Sequence, residues 1–301
     1  MMKPLMANGR AFAQIAAYHP ELTAFRRDLH THPELGFEEV YTAGQVEAAL
    51  RACGVDEIHT GIGKTGVVGI VRGKAPASDK PGAIRSVGLR ADMDALPMAE
   101  HNSFAWKSCK PGLMHGCGHD GHTAMLVGAA RYLAATRHFA GTAVLIFQPG
   151  EEGYAGARAM MQDGLFKRFP CDQVYALHNS PEYDTGLIGI TPGPMQAAVD
   201  RIEIVVTGKG GHGARPHNCI DPVLVAAHII TAAQSIASRN VSALDEVVVS
   251  ICSVQGGHPG AMSVIPGQVT LVGTVRTYRP EIQDKVEQRL RALSEAIAVG
   301  F

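Results

Sequence analysis

Long apolar runs are missing from this sequence. Charges, glycines and prolines interrupt every stretch before it reaches the roughly 18 residues that a membrane helix needs. An excess of charge is missing too: 27 Lys and Arg stand against 28 Asp and Glu, a formal charge of −1. That balance excludes a strongly basic nucleic-acid groove and an acidic disordered tail, so neither nucleic acid nor a membrane is expected as a partner. The six cysteines (Cys53, Cys109, Cys117, Cys171, Cys219, Cys252) form no CxxC pair and no repeat. The N-terminal "MMKPLMANGRAFAQIAAYHP" is broken by Arg10 and Gln14 and offers no small-residue cleavage site. A disulfide framework is therefore not expected, and a soluble cytoplasmic protein is.

What the chain has in quantity is glycine, 34 of 301 residues, well above the usual share of about 7%. It also has 14 His, several of them crowded together. Its length suits two domains at roughly 100–200 residues each.

The first part alternates helices and strands. Leu22, Phe25 and Leu29 mark one helical face, and Val40, Ala43, Val46 and Leu50 a second, stopped by Gly54. Apolar runs at 66–71, 86–89, 143–147 and 173–177 read as strands, with a helix over Thr123–Ala135. Continuous apolar strands between helices predict an α/β fold with a mostly parallel sheet covered on both faces. The pattern changes near residue 195. There a β-α-β-β-α order predicts a smaller α+β sandwich, with Asp221-Pro222 opening one helix and Ile282, Val286, Leu290, Leu293 and Ile297 forming the stripe of the last. Such a sandwich normally closes with another strand, which is expected beyond Phe301.

Ligands of open α/β sheets bind beyond the carboxyl ends of the strands. Three predicted strands run into metal-liking groups there: Asp92 and Asp94, Glu151 and Glu152, and His178. A fourth segment, "MHGCGHDGH", places His115, Cys117, His119, Asp120 and His122 in the loop before a helix. Thiolate, imidazole and carboxylate are the ligand set of zinc and its neighbours. A buried structural Cys with surface histidines, or a Cys nucleophile, would give the same letters. Glu151 and Glu152 are either an exposed acidic turn or a ligand beside a general base, since two free carboxylates side by side repel. "GIGKTG" at 61–66 resembles a phosphate loop, but Ile58 stands where the first Gly is required and a strand follows. "GKGGHGARPH" holds His212 among four glycines, as a mobile segment or a hinge with an incidental His.

The stretches "FRRDLHTHPELGFEE", "GLRADMDALPM", "MHGCGHDGHTAMLVGAA", "FQPGEEGYAGARAMMQDG", "ALHNSP", "GKGGHGARPH" and "GTVRTY" together resemble the co-catalytic metal-dependent peptidase and amidohydrolase family. The similar branch is that of aminoacylases, hippurate hydrolases and indole-3-acetyl-amino-acid hydrolases. The resemblance implies a catalytic metal-binding domain over 1–194 and a lid and dimerisation domain over 195–301. It makes Cys117, His119, Glu152 and His178 metal ligands, Glu151 the catalytic carboxylate, and His212 a lid histidine that steadies the oxyanion in a neighbouring subunit's site. Asp92, Asp94, Asp120 and Arg276 become supporting or substrate-binding candidates, although Arg276 is equally a strand-end surface residue.

The implied reaction is hydrolysis of the amide bond of N-acyl amino acids, with up to two divalent ions (Zn, Mn, Co or Ni) per subunit of a homodimer. Dipeptides are the alternative substrate class. A non-catalytic metal-binding protein, or an inactive fragment, is the alternative function. Two departures stand out. Ser263 replaces the Asn that the branch carries before "VIP", and the family's fifth ligand, a His near the C-terminus, is expected beyond Phe301 together with the rest of the catalytic domain. A chain without that His is expected to have a defective second metal position and little activity.

Overall fold

The computed structural model describes residues 9–76, 83 and 85–301; residues 1–8 of the stretch read for a secretion signal lie outside them. The chain divides into two compact units after Leu187. Among the described residues no helix is long and apolar enough to cross a membrane.

The first unit begins with helices α1 (Gly9–Ala16), α2 (His19–Thr31) and α3 (Val40–Ala52). Strands β1 (Glu57–Ile62), β2 (Gly66–Arg72) and β3 (Ser86–Asp92) follow, then α4 (His119–Thr136) and β4 (Thr142–Gln148). Two short helices, α5 (Gly156–Gln162) and α6 (Leu165–Arg168), precede β5 (Gln173–Ala176). The strands form one sheet in the order β1-β2-β4-β3-β5. The expected α/β architecture is present, but the sheet is mixed: β3 runs parallel to β4 and β5, whereas β2 is antiparallel to both β1 and β4.

The mixed order follows from β1, which the apolar pattern did not reveal because "EIHTGI" is half polar. The segment resembling a phosphate loop is the turn between β1 and β2. Gly61 (φ 76°), Gly63 (φ 64°) and Lys64 (φ 85°) adopt left-handed backbone there, so no helix follows to hold phosphate. Because β2 opposes β4, this turn lies at the same sheet edge as the carboxyl end of β4.

Burial explains the strand sequences. Val67, Val71, Leu145 and Phe147 pack on one side with Val46, Leu50, Leu126 and Ala130 of α3 and α4. Val68, Ile70, Val144 and Ile146 pack on the other with Met160, Leu165 and Phe169. Strands β2 and β4 are therefore apolar at consecutive positions, each buried large side chain contributing roughly 1.5–3 kcal/mol. Strand β5 corrects the expectation of two covered faces: it is an edge strand, and Val174 and Tyr175 are exposed. The α3 stripe needs a similar correction, since Val40 is 73% exposed while Thr42 is buried with Val46 and Leu50.

The second unit has a three-stranded antiparallel sheet, ordered β6 (Ala198–Thr207), β10 (Gln268–Thr277) and β8 (Val247–Gly256). Helices α7 (Pro222–Ser235) and α8 (Pro280–Gly300) cover one face. The Asp221 side chain accepts the Val223 N–H at 2.8 Å, as the Asp-Pro start required. Ile282, Val286 and Leu290 are the buried part of the α8 stripe. A short ladder between β7 (Gly211–His212) and β9 (Val264–Ile265) fixes the glycine loop.

Candidate metal centre

Parallel pairing puts the carboxyl ends of β4, β3 and β5 side by side, and each delivers a site residue just past its end. The "MHGCGHDGH" segment supplies the rest. His119 and His122 lie in the first turn of α4 rather than in the loop before it, which fixes their spacing on a rigid element. Gly118 makes that entry possible: its φ is +88°, and a Cβ there would come within 2.3 Å of the Asn179 side chain. Glycine is the residue that meets both demands.

The side chains converge on His119. Ligand-capable atoms of Cys117, His119 and His178 lie within 4.8 Å of one another, as do those of His119, Glu151 and Glu152. Cys117 Sγ is 3.4 Å from His178 Nε2, and His119 Nε2 is 3.9 Å from a Glu152 oxygen. The ring orientations are set from behind. His119 Nδ1 faces the Asp94 carbonyl at 2.8 Å and its carboxylate at 3.3 Å, and His178 Nδ1 faces the Asn179 carbonyl at 2.7 Å. Both rings thus turn Nε2 inward, the arrangement that second contacts impose on metal-binding imidazoles.

The electrostatics suit a cation. His119 Nε2 is buried with no hydrogen-bond partner. Burial and the neighbouring Glu152 charge push the Cys117 thiol up to about 12, and burial together with Glu152 also raises Glu151. Donors that repel one another around an unpartnered imidazole nitrogen fit a divalent ion, which would hold the sulfur as thiolate. Cys117, His119 and His178 form one candidate ligand group and His119, Glu151 and Glu152 a second that shares His119.

A third group, Asp92, His119 and His122, is also close-set, but Asp92 and His122 are already engaged with other partners. His122 Nδ1 lies 2.6 Å from Asp92 Oδ1, and Arg90 donates to Asp92 Oδ2 at 2.6 Å. The Asn179 N–H donates to His122 Nε2 at 3.0 Å. Burial would raise Asp92, but His122 and Arg90 outweigh it and hold the carboxyl at about 2. Asp92 and His122 form a wall of the site.

The other candidates lie in different surroundings. Asp94 supports His119 directly and accepts the Glu152 N–H at 2.9 Å. Asp120, one residue past His119, turns away and accepts from Arg26 Nε at 3.0 Å beside His30 Nδ1 at 3.0 Å. It ties α4 to α2 and touches none of the ligand candidates. In the second unit, Arg276 donates to the Thr274 hydroxyl and to the Val275 carbonyl, and the His212 Nδ1 accepts the Ala214 N–H at 3.1 Å. Sequence reasoning missed Asn179, whose signal was its place beside His178, and the buried Glu39, which carried no metal-like spacing.

Comparison with known proteins identifies the family. Residues 88–299 match the model of peptidase family M20/M25/M40. The chain is 41% identical to an N-acetylcysteine deacetylase of Bacillus subtilis, over 95% of this chain and 72% of the relative. It is 43% identical to a hippurate hydrolase of Campylobacter jejuni, over 92% of this chain and 70% of the relative. A solved dinuclear metal-binding peptidase of the M20 family from Bacillus subtilis superposes with a TM-score of 0.75 at 37% identity, covering 95% of this chain and 72% of that one. With a family model spanning most of its length and a ligand-capable cluster at the expected sheet edge, this chain belongs to peptidase family M20/M25/M40.

Proposed function

We propose that this protein hydrolyses the amide bond of N-acyl amino acids, releasing a carboxylate and a free amino acid. The observation that carries the reading is that two close-set groups, Cys117 with His178 and Glu151 with Glu152, share His119, whose Nε2 is buried and unpartnered. The deacetylase and hippurate hydrolase relatives supply the substrate class.

A divalent ion held there supplies Lewis acidity, which lowers the pKa of water and polarises an amide carbonyl. Glu151 takes the proton of the attacking water as a general base beside the ligand cluster. The same carboxyl then passes the proton to the leaving amine. Asp94 keeps His119 in register through the reaction, and Asp92 does the same for His122. His212 is the proposed donor to the oxyanion, a role typically worth about 3–4 kcal/mol. Arg276 is a proposed partner for the substrate carboxylate.

In this reading residues 1–194 form the catalytic domain and 195–301 a lid through which two subunits pair. Up to two ions of Zn, Mn, Co or Ni serve each site, the sulfur ligand favouring zinc. The six free thiols suit a reducing cytoplasm.

Metal analysis combined with a hippurate and N-acetyl amino acid hydrolysis assay, with and without chelator, tests the proposal. Release of the free amino acid that stops with chelator and returns with metal is expected. A metal-loaded protein that turns over none of these amides overturns it.

A further inference from the structure

Glu39 is a wholly buried acid that none of the roles above employs. It immediately precedes α3, yet it does not cap that helix. The N–H groups of Tyr41 and Thr42 donate instead to Glu34, at 3.1 and 2.9 Å. The Glu39 side chain leaves the helix for the interior. There Oε1 accepts the Gly150 N–H at 2.7 Å and Oε2 accepts the Thr65 hydroxyl at 2.5 Å. One carboxyl group thus joins the start of α3, the β1–β2 turn and the loop after β4.

The bond to Gly150 has a particular location. Gly150 adopts left-handed backbone (φ 54°) and directly precedes Glu151. On the far side of the acidic pair, Asp94 accepts the Glu152 N–H. The loop that carries both carboxylates therefore hangs between two buried acids, Glu39 before the pair and Asp94 at its second member. Burial raises the Glu39 pKa, with the nearby Asp94 charge adding to the rise. An apolar side chain would fill that space at lower electrostatic cost.

We propose that Glu39 is a positioning residue for the Glu151–Glu152 pair: its hold on the Gly150 N–H sets the backbone from which Glu151 reaches the attacking water. The catalytic part of this inference rests on Glu151 acting as the proton acceptor.

The test compares the parent chain with E39M, E39Q and E151Q, each loaded with Co2+. Methionine fills the same volume but offers no acceptor to Gly150. Glutamine keeps the bond through its amide oxygen, and the Thr65 hydroxyl can turn to accept from the amide nitrogen. In E39M, amide hydrogen exchange over residues 148–153 should quicken. Its kcat for hippurate should fall about 100-fold with KM within about threefold, the scale of a misplaced reacting group. The Co2+–thiolate absorption from Cys117 should persist. E39Q should restore parental exchange and most of kcat.

Parental exchange in E39M, or an E39Q as loose and slow as E39M, overturns the proposal. Should E39M fail to fold, T65V takes its place, with a smaller change in the same direction expected and no change overturning. A parent that turns over no N-acyl amino acid, or an E151Q at the parental rate, sinks the functional reading instead. The exchange data still decide whether Glu39 holds the loop.

Discussion

The Nδ1 of His119 sits 2.8 Å from the carbonyl oxygen of Asp94, while the carboxylate of the same aspartate receives the backbone N–H of Glu152. One residue at the end of β3 therefore orients a proposed ligand from α4 and another from the loop after β4. Replacing Asp94 with Ala should lower metal affinity by about 10- to 100-fold, as loss of such an outer contact typically does. Competition with a chelator of known affinity measures it. Unchanged affinity would show that the Asp94 backbone carbonyl, which Ala keeps, suffices to orient the ring.

Glu151→Gln keeps the shape of the side chain but cannot accept a proton. The rate of hippurate hydrolysis should fall about 10²- to 10⁴-fold with metal content preserved. Steady-state kinetics beside elemental analysis reads both quantities in one preparation.

Cys117→Ser removes the one sulfur donor of the centre. Bound Co2+ should then lose its thiolate absorption, and zinc should bind more weakly. Added zinc stabilises whatever state binds it, so the rise in Tm on zinc addition should shrink in this variant relative to the parent. An undiminished absorption band would remove Cys117 from the ligand set.

Much of this centre is legible in the letters, for a physical reason. Asp92, Glu151 and His178 follow apolar runs, and a parallel sheet brings such positions to one edge whatever the intervening helices do. The supporting contacts are less legible. Glu39 and Asn179 act through hydrogen bonds to distant backbone or ring atoms, over 111 and 57 residues, and no local spacing encodes them. Strand β1 escaped because half its side chains are polar on an edge of the sheet. The exposure of β5 could not be read from "QVYAL", whose apolar letters match those of the buried strands.

A pH dependence of stability should trace to His30. Its Nδ1 faces Asp120 and its Nε2 lies 3.1 Å from Glu100, so both ring nitrogens meet carboxylates. The Asp120 bond is the largest influence and raises the His30 pKa against the opposing effect of burial, with Glu100 adding to the rise. The folded state thus binds the His30 proton more tightly than the unfolded chain. The stabilisation is fully present below the unfolded value of about 6.5 and is lost as pH rises through the higher folded value. Urea midpoints measured across that interval should fall with pH in the parent and fall less in His30→Gln.

The core sets a separate scale. Phe147 is wholly buried in β4, two residues before the Pro149-Gly150 turn, and packs with Val67, Val71 and Leu145. Phe147→Ala should cost about 3–5 kcal/mol in chemical denaturation, the usual range for an aromatic cavity. A cost below about 1 kcal/mol would mean that the surrounding strands collapse into the gap.

His119 and Asp120 are consecutive residues of one helical turn that serve opposite sides of it, the first the ligand cluster and the second Arg26 and His30 of α2. A rigid turn with a hand on each side behaves as a rocker. If the two sides are coupled, loosening the α2–α4 seam should disturb the His119 ring, read as weaker metal binding in Asp120→Ala.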